Sequence, residues 1–373
     1  MDRTPAELPE EEESNKPNTS RYYQQTQPSW YPLLTPCRAA GGYLLIGLLF
    51  VLLGVFLWID ASDVVELRHQ YDGDGSDGDD CKITTYKENK TCVVSFGIED
   101  DMSGPVHVYY ELSNFYQNHA TYVESVSSDQ LLGSLTTDVS DDCTPLYLNG
   151  SLTLHPCGLI ANTLFNDIFT VNTGQTMDET DIAWDSDVSD KFVQPDGFAS
   201  TECDSSVCAT CLSDAGYTDS DGDVAFDGCD VVTEDGTTYA YYYPDEDTYQ
   251  YLYQTFPEVI SPVTGVKDEH FIVWMRTAGL SQFRKLYGRI DAGLEGGDML
   301  NFTINSNFIV DYFDGTKSIV VSTTSSLGGR NTYWATSFLS LGIILLVLAL
   351  LIAVKHKLKP RRMGDMSQLL DDP

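Results

Sequence analysis

Nineteen consecutive residues, Gly41–Ile59 (GGYLLIGLLFVLLGVFLWI), carry no charge. A helix of that length rises ~28 Å at ~1.5 Å per residue, close to the ~30 Å hydrocarbon thickness of a bilayer. Inside lipid a single segment can satisfy its backbone only as a helix, so the stretch predicts a transmembrane span. A largely polar segment of 40 residues precedes it, which places it badly for a cleaved signal peptide. A second apolar run, 333–354, is followed by the basic stretch KHKLKPRR. Two short tails, 1–40 and 355–373, and one long segment, 60–332, make up the rest.

The charge is unevenly spread. The chain has 56 acidic and 21 basic residues, a net charge of −35, and 47 of the acids with 12 of the bases lie in 60–332. Basic residues near span ends set orientation. Arg21 and Arg38 precede the first span, and Lys355, Lys357, Lys359, Arg361 and Arg362 follow the second. Both termini are therefore expected in the cytoplasm, with 60–332 lumenal or extracellular. Eight of the nine cysteines lie in 60–332, an even number that suits an oxidising compartment. The ninth, Cys37, sits on the cytoplasmic side. The sequons Asn89, Asn149 and Asn301 also fall in 60–332 and are expected to carry N-linked sugar. Asn18 matches the pattern on the cytoplasmic side, where it stays unmodified. A segment of this size buries a substantial core as one domain.

Residues 1–20 are acidic and nearly devoid of apolar side chains, as in disordered tails. Residues 21–36 (RYYQQTQPSWYPLLTP) hold three prolines and four aromatics, which predicts an extended segment lying against something at the membrane surface. After the first span, Cys81 and Cys92 bracket a predicted hairpin. Val106, Val108, Tyr110 and Leu112 alternate as in a strand, and 113–125 has helical spacings. EHFIVWMRT (269–277) reads as a strand. Phe283, Leu286, Tyr287 and Ile290 fall at helical intervals and predict a short helix over 280–290. Residues 299–324 read as a β-hairpin turning at Asp314-Gly315. Residues 200–250, with four cysteines, many acids and a tyrosine cluster, read as an insertion of loops and short strands. The fold class expected is two transmembrane helices and one large, mainly β (β-rich α+β) domain.

No catalytic or cofactor motif stands out: the chain has no phosphate-binding glycine loop, no HExxH and no Gly-x-Ser-x-Gly. Its acidity argues against a nucleic-acid partner. Cys203, Cys208, Cys211 and Cys229 admit two disulfides, a zinc site or a CxxC redox pair; an oxidising compartment favours two disulfides. Asp219, Asp221, Asp223, Asp227 and Asp230 echo the spacing of a calcium loop, although the glycine falls at position 4 instead of 6. Asp365-x3-Leu369-Leu370 has the form of an acidic dileucine sorting signal.

Five runs in order resemble the cell-cycle-control-protein-50 family, also called the ligand-effect-modulator family. They are RYYQQTQPSWYPLLTP, PVHVYYELSNFYQNHATYV, PCGLIANTLFND, EHFIVWMRTAGLSQFRKLY and LNFTINSNFIVDYFDGTKSIVVST. Members are accessory β-subunits of type-IV P-type ATPases, the lipid flippases. The resemblance implies a non-catalytic subunit and chaperone, bound to its ATPase as a heterodimer in contact with membrane lipids. It implies a role in export from the endoplasmic reticulum and in phospholipid translocation, in endoplasmic reticulum, Golgi, endosomal or plasma membranes. It also implies disulfides Cys81–Cys92 and Cys143–Cys157, and sugar at Asn301. The 21–36 segment, with Arg21, Trp30 and Pro32, would run along the cytoplasmic side of the ATPase. Gly47 and Gly54 offer a docking face either to the ATPase or to the second span. Ile168 removes a sequon found in some relatives, and 200–250 departs from the family pattern. The alternative reading is a free-standing adhesion or receptor ectodomain whose acidic insertion binds calcium.

Overall fold

The computed structural model describes residues 19–28, 35–75, 81–85, 88–172, 174–203, 208–217, 229–234 and 236–360. Asn18, Trp30, Pro32, Asp219, Asp221, Asp223, Asp227 and the dileucine segment lie outside the described residues. Packing separates two units. One comprises Met1–Phe56 with Tyr333–Pro373, the other Leu57–Thr332.

The two spans are helices Pro36–Ser62 and Thr332–Leu358, each of 27 residues and long and apolar enough to cross a membrane. Each therefore rises ~40 Å, several residues beyond the apolar run. The first begins at Thr35, whose Oγ1 accepts from the Arg38 amide at 3.3 Å, with Pro36 in the first turn where its missing N–H costs nothing. Lys355, His356 and Lys357 occupy the last turn of the second, where cations suit the helix dipole. The chain is a two-span membrane protein with a large β-rich domain between its spans in sequence.

Among the described residues the domain holds thirteen strands: β1 Glu66–Asp72, β2 Lys90–Gly97, β3 Val106–Ser113, β4 Leu148–Asn149, β5 Leu152–His155, β6 Ile168–Val171 and β7 Ala199–Glu202; then β8 Asp230–Glu234, β9 Thr237–Tyr242, β10 Tyr249–Tyr251, β11 Phe283–Ile290, β12 Met299–Ser306 and β13 Thr316–Ser322. They form sheets ordered β1-β13-β3-β11, β2-β12-β6, β10-β5-β4 and β7-β9-β8. The first two sheets share one core. The alternation read in β3 holds, with Val106, Val108, Tyr110 and Leu112 all buried against Phe302, Ile304 and Phe169 or their neighbours. Chain entry and exit lie side by side: β1 pairs antiparallel with β13, and Val65 and Thr323 exchange backbone and hydroxyl hydrogen bonds at 3.0 Å.

Four local expectations are corrected. Glu269–Met275 is a helix, not a strand. Asp268 supplies the missed signal: its carboxylate accepts from the Phe271 amide at 3.1 Å and caps the first turn. The run FIVWM is apolar throughout, so its periodicity could not separate the two states. Conversely, 283–290 is β11, not a helix. A bulge between Leu286 and Gly288 inserts Tyr287 into the ladder and shifts the alternation by one residue, which imitates helical spacing. The two errors share one contact. Lys285 on β11 is buried, and its ammonium caps the end of the Glu269–Met275 helix, donating to the carbonyls of Val273 at 2.8 Å, Trp274 at 2.9 Å and Arg276. Burial, with a smaller push from Arg276, lowers its pKa to about 7.

The third correction concerns the hairpin. β12 pairs with β2 and β6, whereas β13 pairs with β1 and β3, so the chain changes sheets between them. Asp314, at φ 50°, ends a 3-10 turn at Asp311–Phe313, and Asp314-Gly315 starts β13 without reversing onto β12. Between Cys81 and Cys92 the described residues 81–85 and 88–89 form no strand beside β2, which pairs with β12 instead, so the expected hairpin is not seen among them.

The insertion has its own order. β7, β9, β8 and the helix Cys208–Asp214 enclose Ala199, Leu212, Ala240 and Tyr242. The tyrosine-rich run splits into β9 and β10, and Tyr243, Tyr249 and Tyr251 bury their rings together.

Candidate functional site

Within the helix unit, small residues recur at seven-residue steps. Gly47 and Gly54 are buried on the first span, and Ala335, Gly342 and Ala349 on the second. A Cβ built at Gly54 would stand 2.7 Å from Leu339 Cγ and 2.9 Å from the Leu339 amide nitrogen; one at Gly47 would stand 3.1 Å from the Gly342 carbonyl. The two spans thus pack antiparallel with their backbones in near contact, the arrangement that small residues permit in lipid. Of the two partners the sequence offers these glycines, the second span is the one they meet. Gly41 and Gly42 meet nothing within 4 Å. Phe50 and Phe338 lock the same seam edge to face at 5.5 Å. The remaining faces of both helices are mainly exposed leucine, isoleucine and valine, with Tyr43, Phe56, Trp58 and Trp334 exposed among them.

The described part of the N-terminal segment is a turn, Arg21–Gln25, in which the Thr26 amide donates to the Arg21 carbonyl at 2.9 Å. Tyr22 and Tyr23 are exposed. Arg21 is exposed as well, so this end of the segment is available for contact.

The domain contains a buried ionic cluster that the sequence reading missed. Lys317 has no exposed side-chain area. Its ammonium lies 2.8 Å from Asp167 Oδ2 and 3.1 Å from Asp72 Oδ2. It also donates to Ser306 Oγ at 2.7 Å and to the Phe308 carbonyl at 2.6 Å. Asp167 accepts from the Tyr71 hydroxyl at 2.7 Å and from the amides of Asn307 and Phe308 at 2.5 and 2.6 Å. Burial raises the Asp72 pKa, and Lys317 acts against that rise. Burial and the Asp167 charge likewise hold the Tyr71 phenol protonated. The cluster ties β1, β13, the end of β12 and the residue before β6, and so joins the two sheets of the main core. The available signal was Asp167 itself, the only acid in the apolar and amide-rich run PCGLIANTLFND.

The cysteines pair as Cys81–Cys92, Cys143–Cys157, Cys203–Cys211 and Cys208–Cys229, with Cα separations of 5.4 to 5.9 Å. Cys208 and Cys211 therefore bond to different partners, which removes the CxxC redox reading. Asp230, the one described member of the calcium candidate, starts β8 and accepts from the Val231 amide at 2.8 Å. Among the described residues no three acids, histidines or cysteines converge on one point. Asn89 and Asn149 are exposed, and Asn301 is half-buried on the central strand β12. Cys143 and Cys157 are fully buried. Losing their bond is expected to cost roughly 2–5 kcal/mol, more than losing any one sequon. Thermal unfolding of Cys143→Ser beside Asn89→Gln, Asn149→Gln and Asn301→Gln checks the order, and equal midpoints would refute it.

His155 adds a pH dependence. It is fully buried on β5, its ring 5.4 and 5.8 Å from those of Tyr251 and Tyr249, with Nε2 3.3 Å from the Ser134 carbonyl. Burial lowers its pKa to about 4. The unfolded chain takes the proton near pH 6.5, so this contribution to stability is whole above that pH. It is lost as pH falls toward 4, by up to about 3 kcal/mol. His155→Asn should flatten the fall in urea midpoint between pH 7.5 and 4.5. Parallel slopes for the two proteins would contradict the assignment.

Comparison with known proteins places this architecture. The model of the LEM3 (ligand-effect modulator 3) / CDC50 family matches residues 56–362. ALA-interacting subunit 3 of Arabidopsis thaliana is 32% identical over 370 residues, covering 95% of this chain and 90% of the relative. Cell cycle control protein 50A of Mus musculus is 30% identical, covering 92% and 90%. Cell cycle control protein 50B of Homo sapiens is 29% identical, covering 92% and 94%. With most of its length matched by one family model, the chain belongs to the LEM3/CDC50 family.

Proposed function

We propose that this chain is the non-catalytic accessory subunit of a lipid-translocating P-type ATPase, forming a heterodimer with a type-IV catalytic subunit. The observation that carries the reading is its membership of this family, together with relatives named as interacting subunits that align over nearly the whole chain. The helix pair supports it physically. Gly47, Gly54 and Gly342 bring the spans too close for a hydrated path between them, so two helices packed this way need another protein to move a lipid headgroup.

In this reading both termini are cytoplasmic and 60–332 is lumenal or extracellular, with sugar on Asn89, Asn149 and Asn301. Arg21, Trp30 and Pro32 belong to an arm, 21–36, that lies along the cytoplasmic side of the catalytic subunit. The pair leaves the endoplasmic reticulum together for Golgi, endosomal or plasma membranes. Affinity purification from detergent followed by mass spectrometry tests the partnership: a P-type ATPase should co-purify in near-equal amount, and its consistent absence would overturn the proposal. Deleting 21–36 should reduce that recovery severalfold while protease protection of 60–332 stays unchanged.

A further inference from the structure

In the Leu57–Thr332 unit, a cavity of about 140 Å³ lies beside the bulge of β11. Tyr110, Phe165 and Tyr287 line it and are 3%, 5% and 6% exposed. Tyr110 stacks on Phe165 with ring centroids 3.9 Å apart, and its hydroxyl finds no hydrogen-bond partner among the described residues. Of the lining residues that reach solvent, Glu179 and Glu258 are acidic, while Ile168, Val259 and His270 are half-buried. Glu179 is 40% exposed and bonds to His270 Nε2 at 2.9 Å; Glu258 is exposed and has no ion-pair partner among the described residues. Among the described residues no lysine or arginine lines the cavity, and the one basic group that does, His270, is engaged by Glu179. Asp167 also borders it, but Lys317, at 2.8 Å, neutralises that carboxylate.

We propose that this cavity binds a small organic ammonium cation. Two carboxylates supply the charge, and aromatic walls accept the apolar body of such a cation, as they do in recognised ammonium sites. A bare divalent metal fits poorly. Calcium takes six to eight oxygens, whereas most of this lining is aromatic and aliphatic. The volume is close to that of a cavity of about 150 Å³ that holds benzene, which leaves room for about seven heavy atoms, the size of choline. A free amine and a phospholipid headgroup present the same group. The acidic mouth opposes an attached phosphate, so the free amine should bind better.

The purified full-length protein in a non-ionic detergent is titrated calorimetrically with choline chloride against sodium chloride at matched ionic strength. Saturable heat in the millimolar range is expected. Glu179→Gln combined with Glu258→Gln should weaken binding at least ten-fold, and Val259→Phe, which fills the cavity, should abolish it with the unfolding temperature unchanged. Glycerophosphocholine separates the sources: equal affinity assigns the site to headgroups, and weaker affinity assigns it to free amines. No saturable heat, or unchanged affinity in either variant, overturns the proposal.

Discussion

Lys317→Met is expected to lower the unfolding temperature of the β-rich domain by roughly 10 °C. Removing one partner of a buried ion pair costs about 3–5 kcal/mol, because the remaining charge is left without compensation. At roughly 2–4 °C per kcal/mol for a domain of this size, the shift is easily read. Two carboxylates depend on this ammonium, at 2.8 and 3.1 Å, and neither has exposed area to recruit water. Asp167 retains two amide donors and the phenol, whereas Asp72 retains only the Gly73 amide at 2.6 Å, so Asp72 should bear most of the loss. Its carboxyl, already pushed up by burial, then protonates at higher pH in the variant. The folded variant thus binds a proton that the unfolded chain releases, and the gap between variant and wild type should narrow as pH falls. Adding Asp167→Asn should recover part of the loss, since Asn keeps the carbonyl oxygen that accepts from Asn307 and Phe308. Fluorescence-detected melting at pH 7.5 and 5 reads all three proteins. A shift under 2 °C in Lys317→Met would show that the cluster does not hold the two sheets together.

Lys317 also marks where the sequence stopped being legible. In FDGTKSIVV it reads as a polar residue leaving a turn. It is buried because β13 lies between β1 and β3 and is covered on both faces, with six consecutive buried residues. No local pattern announces that, since the flanking strands β1 and β3 both lie more than 200 residues before β13 in the chain. The spans were legible because a long uncharged run has one solution in lipid. β3 was legible because a fully buried face alternates with a half-buried one. The failures at Glu269–Met275 and Phe283–Ile290 arose where local periodicity was ambiguous: one run was apolar on all sides, the other was displaced by a bulge. Lys285 is the tertiary contact that couples the two, and it too looks like a surface residue in sequence. The insertion was recognised by composition alone, and its disulfide pairing required coordinates, as four cysteines always allow three pairings.

Gly54→Leu is expected to open the seam between the spans without affecting insertion. Even a methyl at Gly54 would lie 2.9 Å from the Leu339 amide nitrogen, part of a helix backbone that cannot swing aside as a side chain can. Gly47 is slightly roomier, at 3.0 Å from a leucine methyl and 3.1 Å from the Gly342 carbonyl, so Gly47→Leu should do less alone and should add to Gly54→Leu. Insertion should persist, because each helix remains apolar and long enough to span on its own. The change is read with a disulfide reporter: Phe50→Cys with Phe338→Cys, whose parent rings lie 5.5 Å apart, should crosslink under mild oxidation. In the Gly54→Leu background that crosslink should fall at least ten-fold, while protease protection of 60–332 is retained. An undiminished crosslink would refute the close approach of the two backbones. Recovery of the ATPase from the same membranes then locates the docking face. If the partner reads the joined pair, it is lost along with the crosslink; if it reads the outer leucine faces of single helices, it remains.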